Sequence, residues 1–215
     1  MDRRERLRRA RLYLVVEAAG VEAARAALAG GVDMVQLRDK EAGDDGLLRS
    51  ASAFRDACDD HGALFWLNDR PDLALEAAAD GVHIGQDDMP VDEARSLLGP
   101  DLLIGLSTHS PEQFDAALGS DADQLSVGPV YETPTKEGRP ATGLEYVRHA
   151  ASRGSATPPW FAIGGIDLDN VRDVLAAGAE RIVVVRAIRD AADPRAAASA
   201  LRAALDEAAP GGPAR

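Results

Sequence analysis

The chain has 215 residues, enough for one domain with a full core, and its 46% apolar and 28% charged composition is that of a soluble globular protein. A formal net charge of −12 excludes the broad basic surface that a nucleic-acid partner requires. A single cysteine, Cys58, excludes an intrachain disulfide framework and fits a reducing compartment.

The basic cluster Arg3 to Arg11 is short and terminal, and is expected to be a solvated turn or a frayed end. Residues 1–10 and 210–215 are expected to fray. Leu12–Val16 is an apolar, β-branched run that reads as a strand. Val21 to Ala29 has helical spacing and is stopped by Gly30-Gly31. Met34 to Arg38 predicts a second strand, ending in Asp39-Lys40. Asp44 or Asp45 caps a predicted helix to about Asp60, with Leu47, Leu48, Ala51, Phe54 and Cys58 on one face; Cys58 is then a small buried residue. Leu64 to Leu67 is the third strand, followed by Asn68-Asp69, and Pro71 opens a short helix to Ala78.

Gly81 to Ile84 is a brief fourth strand leading to Gly85-Gln-Asp-Asp88, and Val91 to Leu98 is helical. The fifth strand runs from Leu102 to Leu106 and ends in Ser107-Thr-His109; Ser110-Pro111 starts a helix to Leu118. Gln124 to Val127 is the sixth strand and feeds a Pro- and Gly-rich loop over 128–143. Leu144 to Ala151 is helical, and Trp160 to Ile163 is the seventh strand, closed by Gly164-Gly165. A helix over Asp169 to Ala177, an eighth strand over Arg181 to Val185 and a last helix over Asp193 to Ala208 complete the pattern. Strand and helix alternate eight times with no linker, and the short apolar strands suit a parallel sheet covered by helices. The expected fold class is α/β, a single-domain (β/α)8 TIM barrel spanning 1–215. An open doubly wound sheet is the alternative, but no Gly-x-Gly-x-x-Gly follows the first strand.

In such barrels the chemistry sits where strands lead into helices. The strand ends carry Arg38 and Lys40, Asn68 and Asp69, Asp88, Ser107, the Thr133–Lys136 loop, Gly164-Gly165 and Val185-Arg186. This set suits an anionic substrate held partly through a divalent ion. Asp69 and Asp88 follow adjacent strands, so their carboxylates could share Mg2+, which prefers few hard oxygen ligands; each could instead be a helix cap. Gly164-Gly165 and Val185-Arg186 occupy the usual phosphate corner, although a tight turn also explains the glycine pair. His83, inside an apolar strand, reads as a hydrogen-bonded core histidine. Ser107 and His109 could suggest nucleophile and base, but lack an orienting carboxylate. The only lysines, Lys40 and Lys136, both sit in loops just past apolar runs, while arginine supplies the other 22 basic residues. The 128–143 loop is either a solvated insert or a lid that brings Thr133, Thr135 and Lys136 to phosphate.

Six segments carry a resemblance: Gln36-Leu-Arg-Asp-Lys40, Asn68-Asp69, His83-Ile-Gly-Gln-Asp-Asp88, Gly105-Leu-Ser-Thr-His109, Gly128-Pro-Val-Tyr-Glu-Thr-Pro-Thr-Lys136 and Ala162-Ile-Gly-Gly-Ile166. In order and spacing they resemble the thiamine phosphate synthase family, from Leu12 to about Ile188. The resemblance implies a (β/α)8 transferase of thiamine biosynthesis that uses Mg2+. It joins hydroxymethylpyrimidine pyrophosphate to a thiazole phosphate, with or without a carboxylate, through a dissociative substitution releasing pyrophosphate. It implies that Gln36, Arg38, Lys40 and Asn68 hold the pyrimidine pyrophosphate, with Ser107 and Lys136 also facing it. Arg38, Lys40, Ser107 and Lys136 would be the catalytic set, and Asp69 and Asp88 would bind Mg2+. Thr133, Thr135, Gly165 and the Val185–Arg186 backbone would hold the thiazole phosphate. Arg186 stands where the family often has serine, which puts its side-chain role in question. The substrates are small molecules, with no nucleic acid or membrane partner. The absence of an apolar run near the ~18 residues of a membrane span and of a signal-like N-terminus gives a cytoplasmic expectation, and a homo-oligomer is left open. Two other readings stay open: a thiazole phosphate tautomerase on the same fold, and a non-catalytic phosphate-binding barrel.

Overall fold

The structure is a computed structural model describing residues 2–133, 140–154 and 157–209. Eight strands form: β1 Leu12–Val16, β2 Met34–Leu37, β3 Leu64–Asn68, β4 Gly81–Ile84, β5 Leu103–Thr108, β6 Gln124–Val127, β7 Trp160–Ile163 and β8 Ile182–Val184. Each pairs in parallel with its neighbours in chain order, and β8 returns to β1, closing the barrel. The sheet is therefore closed and not open. The helices are α1 Arg3–Arg9, α2 Val21–Ala29, α3 Asp44–Asp59, α4 Val91–Leu98, α5 Pro111–Ala117, α6 Gly143–Ser152, α7 Val171–Ala176, α8 Arg186–Arg189 and α9 Pro194–Glu207.

The strand sequences are apolar on both faces because both faces are covered. Outward residues such as Leu14, Val35, Phe65, Val82, Ile104, Leu125, Ala162 and Ile182 join the helices in one buried layer. Inward residues form a second core of Tyr13, Met34, Leu64, Trp66, Leu103 and Phe161, with Leu7 and Ala10 from the N-terminal segment. Higher in the barrel the inward positions turn polar: Gln36, His83, Ser107, Gln124 and Ser126 are all buried. The interior thus grades from an apolar floor to a polar ceiling under the strand ends.

The floor has a repeated device. Asp33, Asp80 and Asp123 immediately precede β2, β4 and β6, and each accepts backbone N–H from the strand before its own. Leu12 donates to Asp33 at 3.0 Å, Phe65 to Asp80 at 2.9 Å and Ile104 to Asp123 at 2.9 Å. Each carboxylate is neutralised by arginine, Arg202, Arg55 and Arg95 respectively. Strand-end N–H groups that the ladder cannot serve thereby find acceptors.

Four local expectations are corrected. The N-terminal cluster is not a frayed end: α1 is helical, Leu7 is 2% exposed under the barrel, and Arg3 and Arg6 both reach Asp80 at 3.0 Å. An arginine-rich helix packs because one leucine fills the floor while the guanidinium groups meet a buried carboxylate. Pro71 opens only a 3-10 turn over Pro71–Leu73, not a helix to Ala78. The cap of α3 is Gly43, with Asp44 and Asp45 in the first turn, where carboxylates favour the helix dipole. After β8 the chain forms the short α8, where the sequence pattern predicts no element. Cys58 is buried as expected, and burial pushes its thiol up to about 12. Residues 210–215 lie outside the described residues. Among the described residues, no helix is long and apolar enough to cross a membrane.

Candidate active site

A cavity of about 990 Å³ opens at the C-terminal ends of the strands. Gln36, Arg38, Lys40, Asn68, Asp69, Asp88, Ser107, Thr133, Gly165, Val185 and Arg186 all line it. Thr135 and Lys136 lie outside the described residues. The cavity is within the range of about 300–1,000 Å³ usual for small-molecule sites, at its roomy end.

Asn68 and Asp69 are adjacent in sequence, so regular strand geometry would send their side chains to opposite faces. Asp69 instead takes a left-handed φ of 56°, which breaks the alternation, and both line the cavity. Aspartate is one of the few residue types that tolerates this conformation. Its N–H donates to the His83 carbonyl at 2.9 Å, tying the turn to β4. Asp88 belongs to the turn after β4, and its Oδ2 accepts the Gly85 N–H at 2.7 Å. A Cβ at Gly85 would stand 2.9 Å from that oxygen, so glycine admits the carboxylate. The Asp69 carboxyl is raised above its usual range, first by burial and then by its hydrogen bond to Asp88 and that group's charge, while Lys40 opposes the shift. Two carboxylates held together this way favour a shared proton or a shared cation. Among the described residues no cluster of three or more His, Cys, Asp or Glu could hold a metal. A pair of hard oxygens suits only an ion that takes its remaining ligands from water and phosphate, which is how Mg2+ binds.

Across the barrel mouth, Gly164 and Gly165 have φ of 108° and 66°. A Cβ on Gly164 would lie 2.5 Å from Pro129, and one on Gly165 2.7 Å from the Tyr131 Cβ. The base of the 128–143 loop is stitched to this corner by Val130 N–H to Ile163 O (2.8 Å) and Tyr131 N–H to Gly164 O (3.0 Å). The glycine pair therefore serves packing of the loop base as well as an open turn. Beyond β8, α8 begins at Arg186; Ile188 and Arg189 donate to the Val185 carbonyl, whereas the N–H groups of Arg186 and Ala187 precede any intrahelical partner. Among the described residues, Arg38, Lys40 and Arg186 have no carboxylate within ion-pair distance, unlike most of the surface arginines.

Below the cavity runs a polar chain that the sequence did not reveal. His83 Nε2 is 2.9 Å from Ser107 Oγ, and His83 Nδ1 is 3.2 Å from Gln124 Oε1. Ser107 thus partners His83, not His109, whose Nδ1 meets the Gly128 carbonyl at 2.7 Å. His83 is a buried, hydrogen-bonded residue as read, but its partner belongs to the cavity wall. Gln36 Nε2 donates to Tyr13 Oη at 2.5 Å; burial pushes the phenol above its ordinary range, with Gln36 opposing. These partners come from strands distant in sequence, and only the barrel register brings them together.

Fold and cavity define a (β/α)8 barrel with its polar site at the strand ends, the place where enzymes of this architecture work. The sequence profile described as thiamine monophosphate synthase matches residues 12–188. The chain belongs to that family, and its activity is that of a transferase. A thiamine-phosphate synthase of Gloeobacter violaceus is 56% identical over 195 residues, 90% of this chain and 57% of that longer relative. One from Mycobacterium bovis is 52% identical, over 94% of this chain and 98% of the relative. A solved thiamine phosphate pyrophosphorylase from Pyrococcus furiosus superposes with a TM-score of 0.86 at 35% identity, covering 95% of this chain and 98% of its own.

Proposed function

We propose that this chain condenses hydroxymethylpyrimidine pyrophosphate with a thiazole phosphate, giving thiamine phosphate and pyrophosphate. The observation that carries the reading is one cavity whose polar lining falls into two sectors. Arg38, Lys40, Asn68, Asp69 and Asp88 line the β2–β4 side, and Gly165, Val185 and Arg186 line the β7–β8 side. A single-substrate tautomerase on the thiazole phosphate would need only the second sector.

Arg38 and Lys40 hold the pyrophosphate and stabilise the charge that develops as the bond from the pyrimidine methylene carbon to oxygen breaks. Asp69 and Asp88 would hold Mg2+, which when bound supplies further neutralisation of the leaving group. Gln36, Asn68 and Ser107 orient the pyrimidine. Thr133, Gly165 and the first N–H groups of α8 hold the thiazole phosphate so that its ring nitrogen faces the methylene carbon, and that nitrogen's electron pair forms the new bond. No proton has to leave the attacking nitrogen, so the site requires no general base. The family resemblance assigns Thr135 to the thiazole phosphate and Lys136 to the pyrimidine substrate; both lie outside the described residues.

The test is product formation from both substrates, with Mg2+ present or chelated. Thiamine phosphate and pyrophosphate should appear in equal amounts, and chelation should suppress both. Rearrangement of the thiazole phosphate without coupling would replace this reading by the tautomerase.

A further inference from the structure

Gln124 Nε2 lies 2.5 Å from the Leu125 carbonyl and 3.2 Å from Ser126 Oγ. A carbonyl oxygen only accepts, so this end of the amide is its NH2 and the other end, facing His83, is Oε1. Oε1 also only accepts, and it stands 3.2 Å from His83 Nδ1, which therefore carries the proton. A neutral imidazole protonated at Nδ1 is an acceptor at Nε2. Ser107 Oγ, 2.9 Å from Nε2, then directs its one proton to His83 and turns its lone pairs to the cavity.

The backbone makes room for this chain of bonds. A Cβ at Gly105 would lie 2.4 Å from Gln124 Oε1 and 2.5 Å from His83 Nδ1, so only glycine permits the contact between them. Gln124 is fully buried and His83 is 7% exposed, so water does not compete for either bond.

We propose that Gln124 and His83 are positioning residues that fix Ser107 as a hydrogen-bond acceptor, and that Ser107 selects the amino group of the pyrimidine. The inference rests on the pyrimidine substrate proposed above. An oxo group at the same place sets a lone pair against a lone pair, and a buried unpaired acceptor is rejected strongly.

Two measurements on the full chain test it. The first is the His83 tautomer by nitrogen-15 NMR without substrate: protonation at Nδ1 with an unprotonated, hydrogen-bond-accepting Nε2 is expected, and an Nε2–H tautomer or an imidazolium at neutral pH overturns the proposal. The second compares kcat/KM for the aminopyrimidine pyrophosphate and for its oxo analogue, in the wild type and in Gln124→Met. The wild type should prefer the amino compound by at least about a hundredfold, and the variant should lose about tenfold of that preference as Ser107 becomes free to turn. A folded variant that loses both activities equally marks a merely structural role and overturns the proposal; if the variant does not fold, the tautomer decides. Absence of coupled product from the wild type with the amino compound would instead defeat the transferase reading, with the tautomer still testing the serine's orientation.

Discussion

At Asp69 three constraints meet: a left-handed φ of 56°, a backbone bond to the His83 carbonyl and a second carboxylate on Asp88. A strained turn that presses two carboxylates together costs stability, and such sites persist where the arrangement serves a ligand. Replacing Asp88 by alanine should leave the barrel folded, since its side chain is exposed and its contacts are confined to the Gly85 turn and Asp69. The Mg2+ concentration for half-maximal rate should rise roughly tenfold or more, with a sharp loss of turnover. Wild-type rates at low Mg2+ would reject the pair as the metal's ligands. Arg186 poses the opposite question, because its amide and its guanidinium could each reach the thiazole phosphate. The first N–H groups of α8 lack intrahelical acceptors whatever side chain stands there. Arg186→Ser should therefore change thiazole phosphate affinity by less than about threefold, whereas a charge-assisted side-chain contact would cost about ten- to a hundredfold. Titration calorimetry separates the two.

Among the elements, the strands were legible because a parallel sheet covered on both sides requires uninterrupted apolar runs, and all eight runs became strands. Helix starts at Ser110 and Asp193 were legible for a similar reason: each side chain accepts an amide of the first turn. α1 was not, since an arginine-rich segment looks solvated until Asp80, 77 residues from Arg3, comes to meet it. Nor was α8, too short to show any period. The sequence of the glycine pair after β7 fits a phosphate corner or a tight turn, and the structure adds a third demand, the loop base packed against it. Gly164→Ala tests that demand. A Cβ would meet Pro129 at 2.5 Å and the Val130 nitrogen at 2.9 Å, at a φ of 108° that side chains avoid. With no phosphate present the variant should lose about 2 kcal/mol in urea unfolding. An unchanged midpoint would mean that the glycine serves only the ligand.

For the whole molecule, the strand ends with the site face one way and the arginine-clamped floor the other, so stability and chemistry can be changed separately. The interior polar chain was hidden from the sequence because its members sit on β4, β5 and β6 and meet only through the register. The floor was hidden for the same reason, and Asp80 is its centre. This carboxylate is 3% exposed and takes Arg3, Arg6, Arg55 and the Phe65 amide. Arg6 Nε and Arg55 Nε are buried without acceptors among the described residues, so donors already outnumber acceptors there. Burial alone would raise the Asp80 carboxyl, but the bonds from Arg55, Phe65 and Arg3 outweigh it and hold the group below its usual range. A carboxylate depressed by folding contributes stability that is complete above its unfolded pKa of about 3.9 and is lost as pH falls through the folded value. Asp80→Asn removes that contribution and leaves three guanidinium groups short of an acceptor, so at pH 7 it should cost about 3 kcal/mol. As pH drops below about 4 the wild type should lose its advantage while the variant lacks this part of the slope, and the two urea midpoints should converge. Midpoints that stay equally far apart from pH 7 down to pH 3 would show that the cost came from packing, and that the Asp80 charge does not hold the barrel floor together.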